Sequence, residues 1–257
     1  MSILSSTCTG KESFDNRLKR YNLDPERAVM MSDGSINYFG HVYLQAIKMS
    51  RLPFKFNNVF GDFTCSLCSL TTLDGAPRSV NGKFDCSNNK LTSLEGGPTR
   101  VQGSYYCNYN MLESLNGAPK YVHGMFECSH NFLTTLNGGP LKVQDSYYCN
   151  HNTLESLNGA PKEITGTLFV CAFNRLTSLN GGPERARGIY DCSNNILTSL
   201  EGIARDVKEV RCCDNPKLVK KMCDDSDDIV EVDMSLINKY VNPEAKIMAT
   251  QLFILPF

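Results

Sequence analysis

The sequence predicts a single solenoid of stacked coils, with a parallel β-sheet along its concave face and an extended or turn-like return arm on the convex side. Two observations carry that expectation. From Cys65 a cysteine returns at Cys86, Cys107, Cys128, Cys149, Cys171, Cys192 and Cys213, at intervals of 21 residues with a single interval of 22. Each cysteine also brings a frame with it. An apolar or aromatic residue stands two before (Phe63, Phe84, Tyr105, Phe126, Tyr147, Phe169, Tyr190), and an asparagine stands three after from Cys86 to Cys192 (Asn89, Asn110, Asn131, Asn152, Asn174, Asn195). Leucines follow at five and eight, as in Leu91 and Leu94 or Leu133 and Leu136. A fixed period in the twenties marks stacked supersecondary units, none of which buries its apolar face alone.

Each column has a physical reading. Phe84 and Cys86 alternate as strand residues that share one face and so enter the core. The asparagine places an amide beside a turning chain, where stacked amides satisfy buried polar backbone. Glycines at Gly75, Gly96, Gly117, Gly138, Gly159, Gly181 and Gly202 suit positive φ, and prolines such as Pro77 and Pro98, two residues on, disfavour helix just before them.

The resulting frame, F-x-C-x-x-N-x-L-x-x-L-x-G-[GA]-P-x-x-V-x-G, resembles the leucine-rich repeat, with cysteine where many members carry a further leucine. Stretches such as CSNNKLTSLEGGPTRVQG and CNHNTLESLNGAPKEITG are similar to the compact variant found in bacteria and tailed bacteriophages. The resemblance covers roughly residues 38 to 215. It implies a leucine-rich-repeat solenoid that binds a protein on its concave face, and a phage factor that occupies a host defence protein as one setting. Fold-level likeness of this kind leaves the partner open.

The ends depart from the frame. Leu44 lies 21 residues before Cys65, so INYFGHVYL reads as a degenerate first repeat. Before it, Phe14, Leu18 and Tyr21 have helical spacing, and VMMSDGSINYF reads as strand, turn, strand around Asp33-Gly34. The chain therefore divides into an N-terminal cap at 1–37, the solenoid at 38–215 and a C-terminal cap at 216–257, the last with a strand, a short helix and the apolar QLFILPF. Segments CNYNMLESLNGAPK and CNHNTLESLNGAPK lie 42 residues apart, so the repeats alternate in pairs.

Charge and cysteine usage narrow the function classes. With 26 basic and 27 acidic residues the formal net charge is −1, which supplies no global field for phosphate backbones, and a nucleic-acid partner is not expected. No run approaches the roughly 18 apolar residues that span a bilayer, and MSILSSTCTGKES lacks the features of a signal peptide; a cytoplasmic location is expected. Eight of the 12 cysteines follow the period, so they read as buried reduced thiols rather than a disulfide framework. Cys65 and Cys68 form one C-x-x-C with no second pair at zinc-finger spacing, and no cofactor is expected.

The residues that the frame leaves free carry the functional expectation. The column before each cysteine (Thr64, Asp85, Tyr106, Glu127, Tyr148, Val170, Asp191) and the column two after it (Leu67, Asn88, Tyr109, His130, His151, Phe173, Asn194) should project from the strand side. The positions three before, Met125 among them, and one after, such as Ser87, Ser129 and Ser193, are added to that face. Partner binding is assigned to Asp85, Tyr106, Tyr109, Met125, Glu127, His130, Tyr148, His151, Val170, Phe173 and Asp191. Tyrosine offers a large contact area with few rotors and a polar tip. The convex side, with Glu95, Asn116, Asn137, Asn158, Asn180 and Glu201, reads as solvated surface.

Other readings compete. Exposed aromatics also favour β structure by pairing across strands. His130 and His151, one repeat apart and about 5 Å from each other in a stacked sheet, offer two metal ligands with Glu127 as a candidate third. The same columns suit a small nucleotide-like ligand if they form a concavity. Cys223-Asp224-Asp225 superficially fits the nucleophile motif of effector ubiquitin ligases, but the 34 residues after Cys223 are too few for their catalytic domain. With no Ser/His/Asp set, phosphate loop or His-Glu-x-x-His motif, the chain is expected to be a non-enzyme.

Overall fold

The structure is a computed structural model that describes residues 13–221, 230–232 and 246–248. It is a β-solenoid of parallel strands with, among the described residues, one short α-helix, Phe14–Arg20, and a 3-10 turn at Pro25–Arg27. Every regular coil contributes two strands rather than one. In the coil around Cys107 these are Arg100–Val101 and Tyr105–Tyr106, separated by the bend at Gln102-Gly103-Ser104. Stacking joins the second strands into a sheet of ten that includes Phe63–Thr64, Phe84–Asp85, Phe126–Glu127, Tyr147–Tyr148, Leu168–Val170 and Ile189–Asp191. The first strands form a second sheet of nine that includes Phe56–Val59, Ser79–Val80, Tyr121–Val122, Lys142–Val143, Glu163–Ile164 and Arg185–Ala186. The single expected sheet is therefore joined by a second, because part of the extended return arm pairs as short strands. The stretch from the cysteine to the proline and the bend between the two strands lack strand, and the valine column pairs in register, Val101 with Val122 and Val80 with Val101.

Valine, aromatic, cysteine and both leucines of each coil point inward. Val101, Tyr105, Cys107, Leu112 and Leu115 are essentially fully buried, as are their equivalents along the chain. The aromatic column stacks from Phe63 to Tyr190 with successive ring centroids 4.8–5.8 Å apart. Burial pushes the thiols of Cys86, Cys107, Cys128, Cys149, Cys171 and Cys192 well above the ordinary range, which makes them poor nucleophiles.

Asparagine joins one coil to the next. Asn131 Nδ2 lies 3.1 Å from the carbonyl oxygens of Cys107 and Cys128 and 3.2 Å from that of Ser129, while its Oδ1 accepts the Leu112 amide at 3.0 Å. The same pattern recurs at Asn89, Asn110, Asn152, Asn174, Asn195 and Asn215. At the head of this column stands Cys68, whose Sγ faces the carbonyl oxygens of Leu44 at 3.0 Å and Ser66 at 3.2 Å. The C-x-x-C is thus a core cysteine followed by a thiol in an asparagine's place.

The far end requires one correction to the cysteine column. Tyr190 pairs with Val210 and Asp191 with Arg211, so Cys212, not Cys213, follows Cys192 in the core. Asn215, three residues after Cys212, completes the amide column. Burial, with the adjacent Cys213, pushes the Cys212 thiol up to about 12.

The long interval before Cys171 is taken up at the bend. Thr165, Gly166 and Thr167 make a widened turn, Leu168 joins the strand, and the pairs Tyr147 with Phe169 and Tyr148 with Val170 keep their register. Phe169 and Cys171 stay buried, as the frame requires.

At the N-terminal end, Ser13 Oγ accepts the Asn16 amide and starts the helix, which buries Leu18. Phe14 and Tyr21 pack edge-on against Phe54. Ala28–Met30 and Ile36–Tyr38 pair antiparallel, with Asp33 Oδ1 accepting the Ser35 amide beside Gly34 at φ 76°. Val42 pairs with Phe63 and Leu44 is buried, so the degenerate first coil holds its place. At the other end Val219–Lys221 pairs with Val230–Val232, and Lys246–Met248 adds to the edge of the ten-stranded sheet. QLFILPF and Cys223-Asp224-Asp225 lie outside the described residues.

The pairwise alternation has a steric cause. Coils with Ala76, Ala118 or Ala160 before the proline carry Phe84, Phe126 or Phe169 in the aromatic column, whereas coils with Gly97, Gly139 or Gly182 carry Tyr105, Tyr147 or Tyr190. A Cβ placed on Gly182 would stand 3.1 Å from Tyr190 Oη, and one on Gly97 would stand 3.3 Å from Tyr105 Oη. The tyrosine hydroxyl occupies the space that the alanine methyl fills in the other coils. These three hydroxyls are buried without a hydrogen-bond partner of good geometry; Cys86 and Cys128 are the polar neighbours of Tyr105 and Tyr147.

Gly182→Ala is expected to cost about 1–2 kcal/mol in urea unfolding through overpacking. Tyr190→Phe should gain about 1 kcal/mol by removing an unpaired buried hydroxyl, and the double variant, which recreates the Ala/Phe pair, should recover the glycine variant's loss. Strictly additive effects would contradict the shared-space account. Thiol labelling offers a second check: the column cysteines should resist reagent in the folded protein and react on denaturation.

Candidate functional site

Two rows of side chains run along the outer side of the ten-stranded sheet, drawn from the residue before each cysteine and the residue two after it. The first is the residue before each cysteine. Asp85 pairs in register with Tyr106, Tyr106 with Glu127, Glu127 with Tyr148, Tyr148 with Val170, and Val170 with Asp191. All six are half-buried, while Thr64 at the head of the row is 1% exposed and leaves the face. Met125, two residues before Glu127, is half-buried too.

The second row does not lie on the strands. Leu67, Asn88, Tyr109, His130, His151, Phe173 and Asn194 have φ between 51° and 58° and form the corner that follows each strand. The backbone stays in the ladder through this corner: the Tyr109 amide donates to Ser129 O at 3.1 Å and the His130 amide to Asn150 O at 3.1 Å. Equal corners stack equal rings. Tyr109, His130, His151 and Phe173 form a continuous pile, with centroids 4.1, 4.3 and 4.3 Å apart and planes within 11°. Tyr109 is 49% and Phe173 46% exposed. Left-handed backbone costs about 1 kcal/mol or more for a residue with a Cβ; Asn and His tolerate it better than Tyr, Phe or Leu.

The column after each cysteine, assigned to this face, is corrected in part, since Asn108 and Asn150 stay half-buried. Ser87, Ser129, Ala172 and Ser193 are buried beneath the corner. The serines instead tie the acids down. Ser87 donates to Asp85 Oδ1 from its amide at 3.1 Å and its hydroxyl at 2.7 Å, the Ser193 amide donates to Asp191 Oδ1 at 3.0 Å, and Ser129 donates to Glu127 Oε1 from both groups.

Electrostatics divide the face. Burial raises the Glu127 carboxyl to about 7, against the opposing bond from the Ser129 amide. Burial, with Glu127 next to it, raises the Tyr148 phenol. His130 is held below its ordinary value by burial and by His151. The near-neutral centre of the face is thus flanked by Asp85 at one end and Asp191 at the other. The histidine pair brings no third donor with it: among the described residues no group of three His, Cys, Asp or Glu side chains converges on a metal position. No described helix is long and apolar enough to cross a membrane.

The chain matches no family model, no curated protein and no solved structure.

Glu127 gives the face a pH dependence. A carboxyl whose folded value lies above the unfolded one binds its proton more tightly in the folded state, so its contribution is present below about pH 4.5 and is lost as pH rises through about 7. The melting temperature should fall between these limits, and Glu127→Gln, which preserves an acceptor for Ser129, should flatten that decline. An unchanged slope would place the titration elsewhere.

Proposed function

We propose that the chain is a non-catalytic docking scaffold of the leucine-rich-repeat type, which holds a protein partner on the outer face of its ten-stranded sheet. The observation that carries this reading is the ring pile. Tyr109 and Phe173 stand at left-handed corners where their side chains are disfavoured, and they complete an exposed stack with His130 and His151 that does nothing for the core. Strain kept at exposed positions points to use rather than stability. The adjoining Tyr106, Glu127, Tyr148 row adds aromatic groups with polar tips at neighbouring strands, about 5 Å apart.

The breadth of the two rows favours a protein over a small ligand, which needs a concavity with convergent polar groups. The repeat's resemblance to those of tailed bacteriophages extends the proposal to a viral factor acting in the host cytoplasm on a defence protein. The partner's contacts fall on Asp85, Met125, Val170 and Asp191 at the margins and on the aromatic rows at the centre.

Tyr106→Ala with Tyr148→Ala should weaken binding at least tenfold to a partner captured by the wild-type chain and then purified, since such anchors are worth about 2 kcal/mol or more. Neither residue belongs to the inward column, so the melting transition should survive. Asn116→Ala with Asn158→Ala, exposed in the turns before the prolines, supplies the comparison. Unchanged affinity in the tyrosine variant together with loss in the asparagine variant would put the site on the other side.

A further inference from the structure

The nine-stranded sheet carries a charge pattern that the docking reading leaves unused. In six consecutive coils the two residues after the proline include one cation, and its place alternates: Arg78 at the first position, Arg100 at the second, then Lys120, Lys142, Lys162 and Arg185 in the same order. The register sets Ser79 beside Arg100, and Tyr121 beside Lys142. Successive cations are therefore one strand along and one residue across, roughly 6 Å from Cα to Cα, in a zigzag that follows the solenoid axis. In the first three of these coils both positions open to one groove of about 830 Å³, lined by Asn57, Asn58, Arg78, Arg100, Lys120 and Tyr121 among others, and Lys142 continues the row beyond it on the next strand.

The four leading cations are not neutralised by acids, although Lys120 Nζ donates to the Gly138 carbonyl at 3.4 Å. Arg78, Arg100, Lys120 and Lys142 have no carboxylate partner among the described residues, whereas Lys162 pairs with Glu184 at 3.0 Å and Arg185 with Asp206 at 4.0 Å. The two columns hold no acid from Asn57 to Lys142; Asp74 and Glu95 lie in the turns before the prolines, and Asp145 lies in the bend after the strand. At the centre of the stretch Tyr121 is 60% exposed, with Arg100 on one neighbouring strand and Lys142 on the other. Exposed cations at regular steps along a groove, with an aromatic ring among them, match the backbone and bases of a single-stranded nucleic acid.

We propose that this groove binds a single-stranded nucleic acid through four phosphate contacts, with a base stacked on Tyr121. The near-zero net charge of the whole chain does not oppose this, because screening confines each charge to about 10 Å in ordinary salt. A linear polyanion fits better than a compact nucleotide, since the cations run on from coil to coil instead of converging. An acidic protein segment shares the charge but gains nothing specific from a stacking platform.

The test uses the full chain and a fluorescently labelled oligothymidylate about twelve nucleotides long. Saturable binding is expected, with a slope of log affinity against log salt of about −3, from four contacts on a single strand. Arg100→Ser with Lys142→Ser should weaken it at least tenfold and make the slope shallower. Tyr121→Leu, which leaves every charge in place, should cost about tenfold for the oligonucleotide and leave any binding of an oligoglutamate peptide unchanged. Circular dichroism and melting confirm that each variant is folded. No saturable binding at low salt, or binding unaffected by the double serine variant, overturns the proposal. So does an oligoglutamate peptide that binds as tightly as the oligonucleotide while Tyr121→Leu changes neither, in which case the groove takes an acidic protein segment.

Discussion

The asparagine column is the constraint on which the rest of the structure depends. A coil of about 21 residues must reverse direction several times, and each reversal leaves backbone donors and acceptors facing inward where water cannot reach them. One amide per coil serves that need at the corner after the strand: in the coil of Asn131 it reaches the carbonyls of Cys107, Cys128 and Ser129 and accepts from Leu112. Because two of these partners belong to the preceding coil, the same side chain both closes a corner and sets the register between neighbours.

Surface chemistry follows from that register. Corners fixed in one conformation stack their side chains directly above one another, which is why Tyr109, His130, His151 and Phe173 form a pile and not a scatter. The same register lines the residues before the cysteines into a row and alternates the cations on the nine-stranded sheet. The two faces then differ in character. One has aromatic rows with partly buried acids, the other exposed cations beside a tyrosine. A solenoid is suited to such division, since each column can vary without disturbing the core of the coil that presents it.

Much of this was legible in the sequence because the period repeats the same physical problem. Cysteine, asparagine and leucine columns gave the inward face directly, and the glycines before the prolines take positive φ as expected. The second sheet was not legible: strands of two residues, such as Arg100–Val101 between a proline and a glycine, are too short to show alternation. The corner after the strand was misplaced as strand for a related reason. Tyr109 and Phe173 do not advertise positive φ, although Asn88 and Asn194 in the same column do, and reading the column as a unit would have revealed it. Adjacent cysteines at 212 and 213 left the last register open until the pairing of Val210 with Tyr190 resolved it. The Ala/Phe and Gly/Tyr pairing was visible in the letters, but its cause required the distance from glycine to hydroxyl.

The most direct test of this account is the equilibrium unfolding of Asn131→Ala beside Asn137→Ala. The first removes the amide that serves buried backbone in two coils; the second shortens an exposed side chain in the turn before a proline. The account predicts a loss of about 3 kcal/mol or more for the first, because several buried groups lose their partner at about 1–3 kcal/mol each, and a change within about 0.5 kcal/mol for the second. A loss at Asn131 no larger than that at Asn137 would contradict it, and would mean that packing of the apolar columns alone sets the register.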